Sequence, residues 1–202
     1  MSNDLNFYIN GEWVKSESNE TIDVINPANE EVIGQVTAGT KEDIDKAVSA
    51  ALDAFSSFQQ TTKVQRIELL KNVITEYEAR YNDFVQTISK EMGSPIWLSE
   101  AAQAKTGIKN IQETLDALES YEFERPEGDY TLIKEPIGVI GMITPWNWPM
   151  NQITTKVSAA LAAGCTMVLK PSEISPYCAM LLAEVFDKAG VPNGVFNVVN
   201  GY

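Results

Sequence analysis

Short apolar runs alternate with segments of helical periodicity over the last third of the chain. The runs 138–144, 166–170 and 195–199 have the character of buried strands, and the segments 149–163 and 176–189 between them have that of helices. Gly164 and Gly190 follow the helices as end signals, and Ser175-Pro176 begins the second one with a cap and a proline. This β-α-β-α-β order predicts a parallel sheet with right-handed crossovers, which is half of a doubly wound α/β fold.

Alternating apolar and polar positions predict short strands near the N terminus. Residues 7–14 form a hairpin, because Asn10-Gly11 is a strong two-residue turn signal. Residues 21–25 alternate as a half-buried strand that ends at Asn26-Pro27, and residues 31–36 form a further short strand.

Four helices are predicted between these strands and residue 120, and we interpret them as covering a sheet. The first is capped by Thr40 with Asp43 in a weak capping-box position, and the second begins near Thr62. The third covers 82–92 and ends before Gly93, and the fourth covers about 99–120. The apolar stripes that predict their buried faces are Ile44, Ala47, Val48, Ala51, Leu52 and Phe55; Ile67, Leu70, Ile74 and Tyr77; Phe84, Val85 and Ile88; and Ile108, Ile111, Leu115 and Leu118.

A charged segment separates these helices from the parallel strands. Residues 122–129 contain Pro126 and Gly128 and are predicted to be a turn or linker. Residues 130–135 are predicted to form a strand, which Pro136 closes.

Composition and charge exclude several classes of partner. The chain has 202 residues and is 44% hydrophobic, which fits one globular domain or two small ones. Its formal net charge of −13 argues against nucleic acid or an anionic membrane as a partner. The N terminus lacks the basic and apolar regions of a signal peptide, and the longest apolar stretch, 157–169, is too short to span a bilayer. We therefore expect a cytoplasmic protein with no membrane or nucleic-acid partner.

The absence of histidine limits the chemistry that this segment can supply. It removes Ser-His-Asp and Cys-His catalysis and His-based metal sites, so proton transfer must use a carboxylate, lysine, tyrosine or water. We expect no metal site. Cys165 and Cys178 are too few for a disulfide framework, and we interpret both as buried structural thiols.

Candidate chemistry lies where the first parallel strand ends. The turn 144–149 displays Asn147 between two tryptophans and two prolines, and parallel α/β folds bind ligands at such strand ends. Pro149 suits the first turn of the following helix. Asn147 either caps that helix or donates its amide N–H to a developing oxyanion, and spacing alone leaves both interpretations open.

Two segments resemble motifs of the aldehyde dehydrogenase superfamily. Thr144-Pro-Trp-Asn-Trp-Pro149 is similar to the family's Pro-Trp-Asn-Phe-Pro segment, with Trp148 where Phe is usual, and Val168-Leu-Lys-Pro-Ser-Glu173 is similar to its adenosine-binding segment. The resemblance extends to 8–13, 25–28 and 192–201 and so covers nearly the whole chain. It implies an α/β fold that contains part of a doubly wound, Rossmann-like parallel sheet with flanking helices, N-terminal hairpin strands and a small oligomerisation strand.

The resemblance also implies a binding site for NAD. A carboxylate at Glu173 accepts from a ribose 2′-hydroxyl and repels a 2′-phosphate, which favours NAD over NADP. The plain alternative for Lys170 and Glu173 is a pair of surface charges. The residues expected to bind the cofactor are Ile143, Thr144, Pro145 and Trp146 beside it, and Lys170, Ser172 and Glu173 at its adenosine end.

The catalytic groups implied by the resemblance lie only partly in this chain. Asn147 would donate to the oxyanion of a cysteine hemithioacetal, and Lys156 would support the site electrostatically or remain an ordinary solvated lysine. The usual Rossmann fingerprint, Gly-x-Gly-x-x-Gly, does not follow the first strand. The resembled family also lacks this fingerprint and binds the cofactor pyrophosphate with a later helix. Neither cysteine matches the family's nucleophile. The resemblance implies that the catalytic Cys and the general-base Glu both lie beyond Tyr202. Residues 1–202 alone are therefore predicted to be inactive.

The expected organisation has three parts. Residues 1–120 are the N-terminal part of the NAD-binding domain, 121–136 a linker and oligomerisation strand, and 137–202 the first half of the Rossmann-like sheet, with the catalytic domain absent. The implied activity is oxidation of an aldehyde to a carboxylic acid with NAD, through a cysteine hemithioacetal and thioester, in a homodimer or tetramer.

A second hypothesis is a truncated, non-catalytic protein that acts only in nucleotide binding or subunit association. Its last apolar strand, 195–199, would then be an unpaired edge that invites pairing or aggregation. The sequence does not specify which aldehyde is oxidised.

Overall fold

A computed structural model describes residues 3–202 and contains nine strands within that range. In chain order they are β1 (Asn6–Ile9), β2 (Glu12–Lys15), β3 (Thr21–Asn26), β4 (Glu31–Thr37), β5 (Glu124–Glu127), β6 (Tyr130–Ile133), β7 (Val139–Ile143), β8 (Thr166–Lys170) and β9 (Phe196–Val198). Five of them form a central sheet in the order β2-β1-β9-β8-β7, in which β7, β8 and β9 are parallel. The predicted fold class and its three parallel strands are therefore confirmed.

The helices cover both faces of this sheet. They are α1 (Lys41–Phe58), α2 (Lys63–Ala79), α3 (Tyr81–Met92), α4 (Ile96–Leu98), α5 (Lys105–Ser120), α6 (Pro149–Ala163) and α7 (Tyr177–Lys188). Met167 and Leu169 of β8 belong to the large core under α6 and α7, whereas Val168 belongs to a second cluster with Ala47 and Ala51 of α1. This alternation follows from the pleat of a strand that is buried on both faces.

Local signals fixed most element ends as predicted. Thr40 and Thr62 both form capping boxes, with Asp43 and Gln65 as the return partners. Gly93 ends α3 and Gly164 ends α6 in the left-handed conformation. Asn10 and Gly11 have positive φ and join β1 to β2 in a two-residue hairpin.

Two predicted elements differ from the observed ones. The helix predicted over about 99–120 is α-helical only from residue 105 onward. Its first part, Ser99–Ala104, is a π-helix. The predicted linker 122–129 was wrong over Glu124–Glu127, which pairs with β6 as a hairpin. Pro126 is tolerated in this two-stranded ribbon because each strand has one free edge, where a backbone N–H needs no partner. Gly128 turns the chain with a positive φ.

The predicted apolar stripes of α1 and α2 were partly wrong. Ala47 and Ala51 are buried in α1, whereas Ile44, Val48 and Leu52 are exposed. Small residues face the sheet in α1 because they let the helix axis approach it closely. In α2 the buried face is Arg66, Leu70, Val73 and Tyr77, and the predicted Ile67 and Ile74 are only half-buried.

The start of α7 is capped by a residue far away in the sequence. The helix begins at Tyr177, so Pro176 precedes it and Ser175 is not its cap, contrary to the prediction. The backbone N–H groups of Tyr177 and Cys178 donate instead to the carboxylate of Glu91 at 2.7 and 3.1 Å. Glu91 at the end of α3 therefore replaces a local cap.

The last strand is not an unpaired edge, which corrects the expectation for 195–199. Strand β9 lies between β8 and β1, with Tyr8 opposite Val198. The side chain of Asn197 accepts from the Asn10 N–H at 3.0 Å and strengthens this pairing. The N-terminal hairpin therefore covers the edge that the parallel strands alone would leave open, and β2 and β7 are the outer strands.

Candidate functional site

The corner after β7 holds Asn147 in an exposed position. The N–H of Thr144, which is buried, donates to the carbonyl of Lys170 at 3.3 Å, so the strand pairing continues one residue past β7. Pro149 is the first residue of α6, and its N-cap is Trp148 without a side-chain cap bond. The N-cap interpretation of Asn147 is therefore wrong. Within residues 3–202 its amide makes no hydrogen bond, and the group is available to a ligand.

The end of β8 lies directly beside this corner. Ile143 and Lys170 are register partners in the parallel pair β7–β8. The Lys170 ammonium donates to the Gly201 carbonyl at 2.9 Å and lies 3.4 Å from the Glu173 carboxylate. The two polar segments predicted from separate parts of the sequence therefore meet at one end of the sheet.

Glu173 and Ser172 have different surroundings in the turn after β8. The pKa of Glu173 is below its usual range, because its own backbone N–H and the Lys170 ammonium stabilise the carboxylate. The carboxylate is therefore ionised at neutral pH and partly exposed. Ser172 is buried, and its hydroxyl accepts from the Ile174 N–H at 3.2 Å, so this side chain shapes the turn.

Two cavities adjoin the corner, and each is lined by some of the predicted site residues. Ile143 and Lys156 line a cavity of about 530 Å³ along β7. Trp146 and Glu173 line a second cavity of about 360 Å³. Pro145 is exposed at the corner itself. The Lys156 ammonium donates to the Gln152 carbonyl at 2.9 Å, one turn earlier in α6, and forms no hydrogen bond with Asn147.

Polar contacts between α5 and α6 escaped the sequence analysis. Asn110 donates through Nδ2 to Asn151 Oδ1 at 3.1 Å and to Thr154 Oγ1 at 3.0 Å, and so ties the first turns of α6 to α5. Gly107 permits the close approach of α5 to both α2 and α6, since a Cβ there would overlap the Tyr77 hydroxyl and lie 3.0 Å from the Met150 Cβ. The sequence signal that could have predicted these contacts is the spacing of polar residues beside the apolar stripe of α5.

Both cysteines are buried, and the surroundings of Cys178 disfavour a thiolate. Cys165 and Cys178 are both free and buried, as predicted. Burial raises the pKa of Cys178 well above its usual range, and the neighbouring Glu91 carboxyl acts in the same direction. In the part of the chain that the structure describes, no group of three or more His, Cys, Asp or Glu residues is placed to hold a metal. No helix between residues 3 and 202 is long and apolar enough to cross a bilayer.

Polar residues displayed at the carboxyl ends of two adjacent parallel strands define the ligand-binding end of a doubly wound α/β domain. A sequence model of the aldehyde dehydrogenase family matches residues 13–202, and the chain belongs to that family.

Known relatives agree with this assignment over the whole chain. A putative aldehyde dehydrogenase of Staphylococcus aureus strain USA300 is 55% identical over 194 residues, which are 96% of this chain and 41% of that protein. A crystal structure of a variant of aldehyde dehydrogenase C from Pseudomonas syringae, in complex with NAD+ and octanal, is 43% identical with a TM-score of 0.98 and covers 100% of this chain. An E. coli NADP-dependent enzyme is 36% identical with a TM-score of 0.91, again over 100% of this chain. The chain spans about 41% to 43% of the length of these proteins.

Proposed function

We propose that this chain is the N-terminal, NAD-binding part of an aldehyde dehydrogenase that oxidises an aldehyde to a carboxylic acid. The observation that carries the proposal is the meeting of two strand ends, where Ile143 pairs with Lys170 and the exposed Asn147 follows. The family membership and the NAD+ complex of the Pseudomonas syringae relative support it.

Lys170 and Glu173 fit the adenosine end of the cofactor. An ionised, partly exposed carboxylate accepts from both hydroxyls of a ribose, and the ammonium 3.4 Å away donates to the same hydroxyls. The charge of Glu173 opposes a 2′-phosphate, so we propose NAD rather than NADP as the cofactor. Because the E. coli relative shares the fold and is an NADP-dependent enzyme, the choice between NAD and NADP depends on individual residues and not on the fold.

Asn147 and its neighbours fit the reacting end. One wall of the cofactor site is formed by Ile143, Thr144, Pro145 and Trp146. This wall is rigid because two prolines flank the turn and the Thr144 N–H donates to the Lys170 carbonyl. The cofactor supplies the acceptor for a hydride. The Asn147 amide, exposed on this corner and without an acceptor in residues 3–202, donates a hydrogen bond to the aldehyde oxygen as it gains negative charge.

The β5–β6 hairpin fits the proposed role in subunit association. All four residues of β6 are exposed, including the apolar Leu132 and Ile133. An exposed strand with apolar side chains is a template for pairing with another chain. We therefore propose a homodimer or tetramer for the complete enzyme.

Calorimetric titration with NAD tests the cofactor assignment. In purified protein we expect Glu173→Gln and Lys170→Ala each to weaken NAD binding by about tenfold or more, because each removes a charge-assisted hydrogen bond to the ribose. Glu173→Gln should also reduce the preference for NAD over NADP. Glu113→Gln, which breaks an ion pair with Lys109 on α5, is the matched control and should leave both affinities unchanged.

The outcomes of this titration separate the hypotheses. Equal NAD affinity in the Glu173 variant and the control would exclude the adenosine site. An NAD-dependent turnover of aldehyde by the same preparation supports the complete enzyme, whereas NAD binding without turnover supports the non-catalytic alternative. Intact mass spectrometry of the same sample establishes how much chain it contains.

A further inference from the structure

Arg66 is a buried arginine on the inner face of α2. Its side chain is only 6% exposed. The guanidinium carbon lies 4.8 Å from the centre of the Phe123 ring, and Nη1 is packed against Gly164, where a Cβ would overlap it. The aromatic face and the glycine therefore hold the guanidinium plane in a fixed position at the end of α6.

The other two arginines have acidic partners, whereas Arg66 has none among residues 3–202. Arg80 pairs with Asp83 and Glu184, and Arg125 pairs with Glu127. Across residues 3–202 the Arg66 side chain forms no ion pair and no hydrogen bond, and its buried Nε–H lacks an acceptor. A buried donor without an acceptor disfavours the folded state, so the Nε–H points to an acceptor that residues 3–202 do not supply.

The guanidinium faces a cavity large enough for a small anion. This cavity, of about 320 Å³, is lined by Phe55, Gln59, Gln60, Arg66, Phe123, Glu124, Ile133, Lys134, Glu135 and Pro136. The Lys134 ammonium, also without a carboxylate partner in the described residues, donates to the Tyr121 hydroxyl at 2.9 Å. Glu124 and Glu135 also line the cavity, but both are exposed, so water and salt screen their repulsion of a bound anion.

We propose that this cavity, which we name the Arg66 pocket, binds an oxyanion: a carboxylate or a phosphate group. The planar fork of a guanidinium matches two oxygens of either group, and burial strengthens the resulting hydrogen bonds. The neutral amides of Gln59 and Gln60 offer further donors. The pocket is distinct from the cofactor site, because Gly164 precedes β8 whereas Asn147 and Lys170 lie at the opposite, carboxyl ends of the parallel strands.

Nuclear magnetic resonance of the arginine Nε–H groups tests the proposal directly. Arg66→Lys identifies the Arg66 signal by its loss from the spectrum of the purified protein. Sodium phosphate and sodium acetate are titrated separately at an ionic strength held constant with sodium chloride. We expect a saturable shift of the Arg66 signal and none of the Arg80 and Arg125 signals. The wild-type titration needs no variant to fold.

Calorimetry with the same anions provides the second test. Arg66→Gln should weaken anion binding by about tenfold or more, since it removes a charge-assisted pair of hydrogen bonds, and the exposed Arg125→Gln should not. Saturation by phosphate alone identifies a phosphate group as the ligand, and saturation by acetate identifies a carboxylate. An Arg66 signal that neither anion moves, or undiminished binding in Arg66→Gln, overturns the proposal.

Discussion

Asn147 is exposed and makes no hydrogen bond within residues 3–202 because its neighbours, rather than its own side chain, build the corner. Thr144 is held by the Lys170 carbonyl, and Pro149 begins α6 without a side-chain cap. In the part of the chain that the structure describes, the amide therefore has no hydrogen bond to give up if a ligand binds it. A donor of this kind can bind a developing oxyanion without first breaking a hydrogen bond within the protein.

Replacement of this one side chain should affect turnover and not cofactor binding. In the active dehydrogenase we expect Asn147→Ala to lower kcat by about a hundred- to a thousandfold, the usual effect of losing one oxyanion donor. The NAD affinity measured by calorimetry should not change. Asn82→Ala, at an exposed position of α3, is the matched control. An unaltered kcat in the Asn147 variant would remove the amide from the mechanism.

Single residues also show where sequence reasoning stops. Lys170 and Glu173 were recognised because they follow a strand and match a known motif, and their ion pair agrees with that placement. Arg66 was not recognised, because a charged residue on a helix is ordinarily assigned to the solvent face. Its burial depends on Phe123 and Gly164, which are distant in sequence and meet it only in the folded chain.

At the scale of elements, Glu91 links the N-terminal helices to the parallel half of the sheet. The carboxyl group is fully buried and accepts from the first two N–H groups of α7. Burial raises its pKa to about 7, although the two N–H groups act in the opposite direction. The group therefore changes its protonation near neutral pH inside the core.

The stability of the fold should consequently depend on pH through Glu91. Its pKa is higher in the folded state (about 7) than the ordinary 4.5, so the folded state binds the proton more tightly. The stabilising contribution is complete below about pH 4.5, declines as pH rises toward 7, and is absent above that. The difference corresponds to about 3 kcal/mol in the free energy of unfolding.

Urea unfolding of Glu91→Gln at several pH values measures this effect. The free energy of unfolding of wild type relative to this variant should fall between pH 4.5 and 7 and remain level above. Glu78→Gln, at an exposed site of α2, should run parallel to wild type. A difference between wild type and Glu91→Gln that stays constant across that range would show that Glu91 does not titrate there.

At the scale of the whole molecule, the N-terminal hairpin and the parallel strands form one sheet. Strand β1 pairs with β9, so the hairpin covers that edge of the parallel strands, whereas β7 pairs only with β8 in the described residues. Ile143 is 76% exposed at the end of β7, and Ile137 is 89% exposed just before it. An outer strand with apolar neighbours promotes association with another chain.

We therefore expect the purified 202-residue chain to associate through the β7 edge as its concentration rises. Ile137→Lys should increase the monomer fraction measured by light scattering coupled to size-exclusion chromatography, because a charged side chain opposes edge pairing. Val64→Lys, which replaces a 72% exposed valine on α2, is the control. Identical monomer fractions in the two variants would locate the association elsewhere.

The sequence by itself determined what depends on neighbouring residues. Caps at Thr40 and Thr62, the Asn10-Gly11 turn and the order of parallel strands all follow from local geometry and from periods of two or 3.6 residues. The corner motif and the Lys170–Glu173 segment are also continuous in sequence. Each was therefore found without coordinates.

The tertiary structure alone decided what depends on contacts between distant segments. The β1–β9 pairing closed an edge that the parallel strands would have left free, and Glu91 capped a helix that begins 86 residues later. The burial of Arg66 and the small-residue face of α1 were likewise set by packing against other elements. Local patterns specify which element forms, but the free energy of burial depends on which surfaces finally meet, and that is a property of the whole fold.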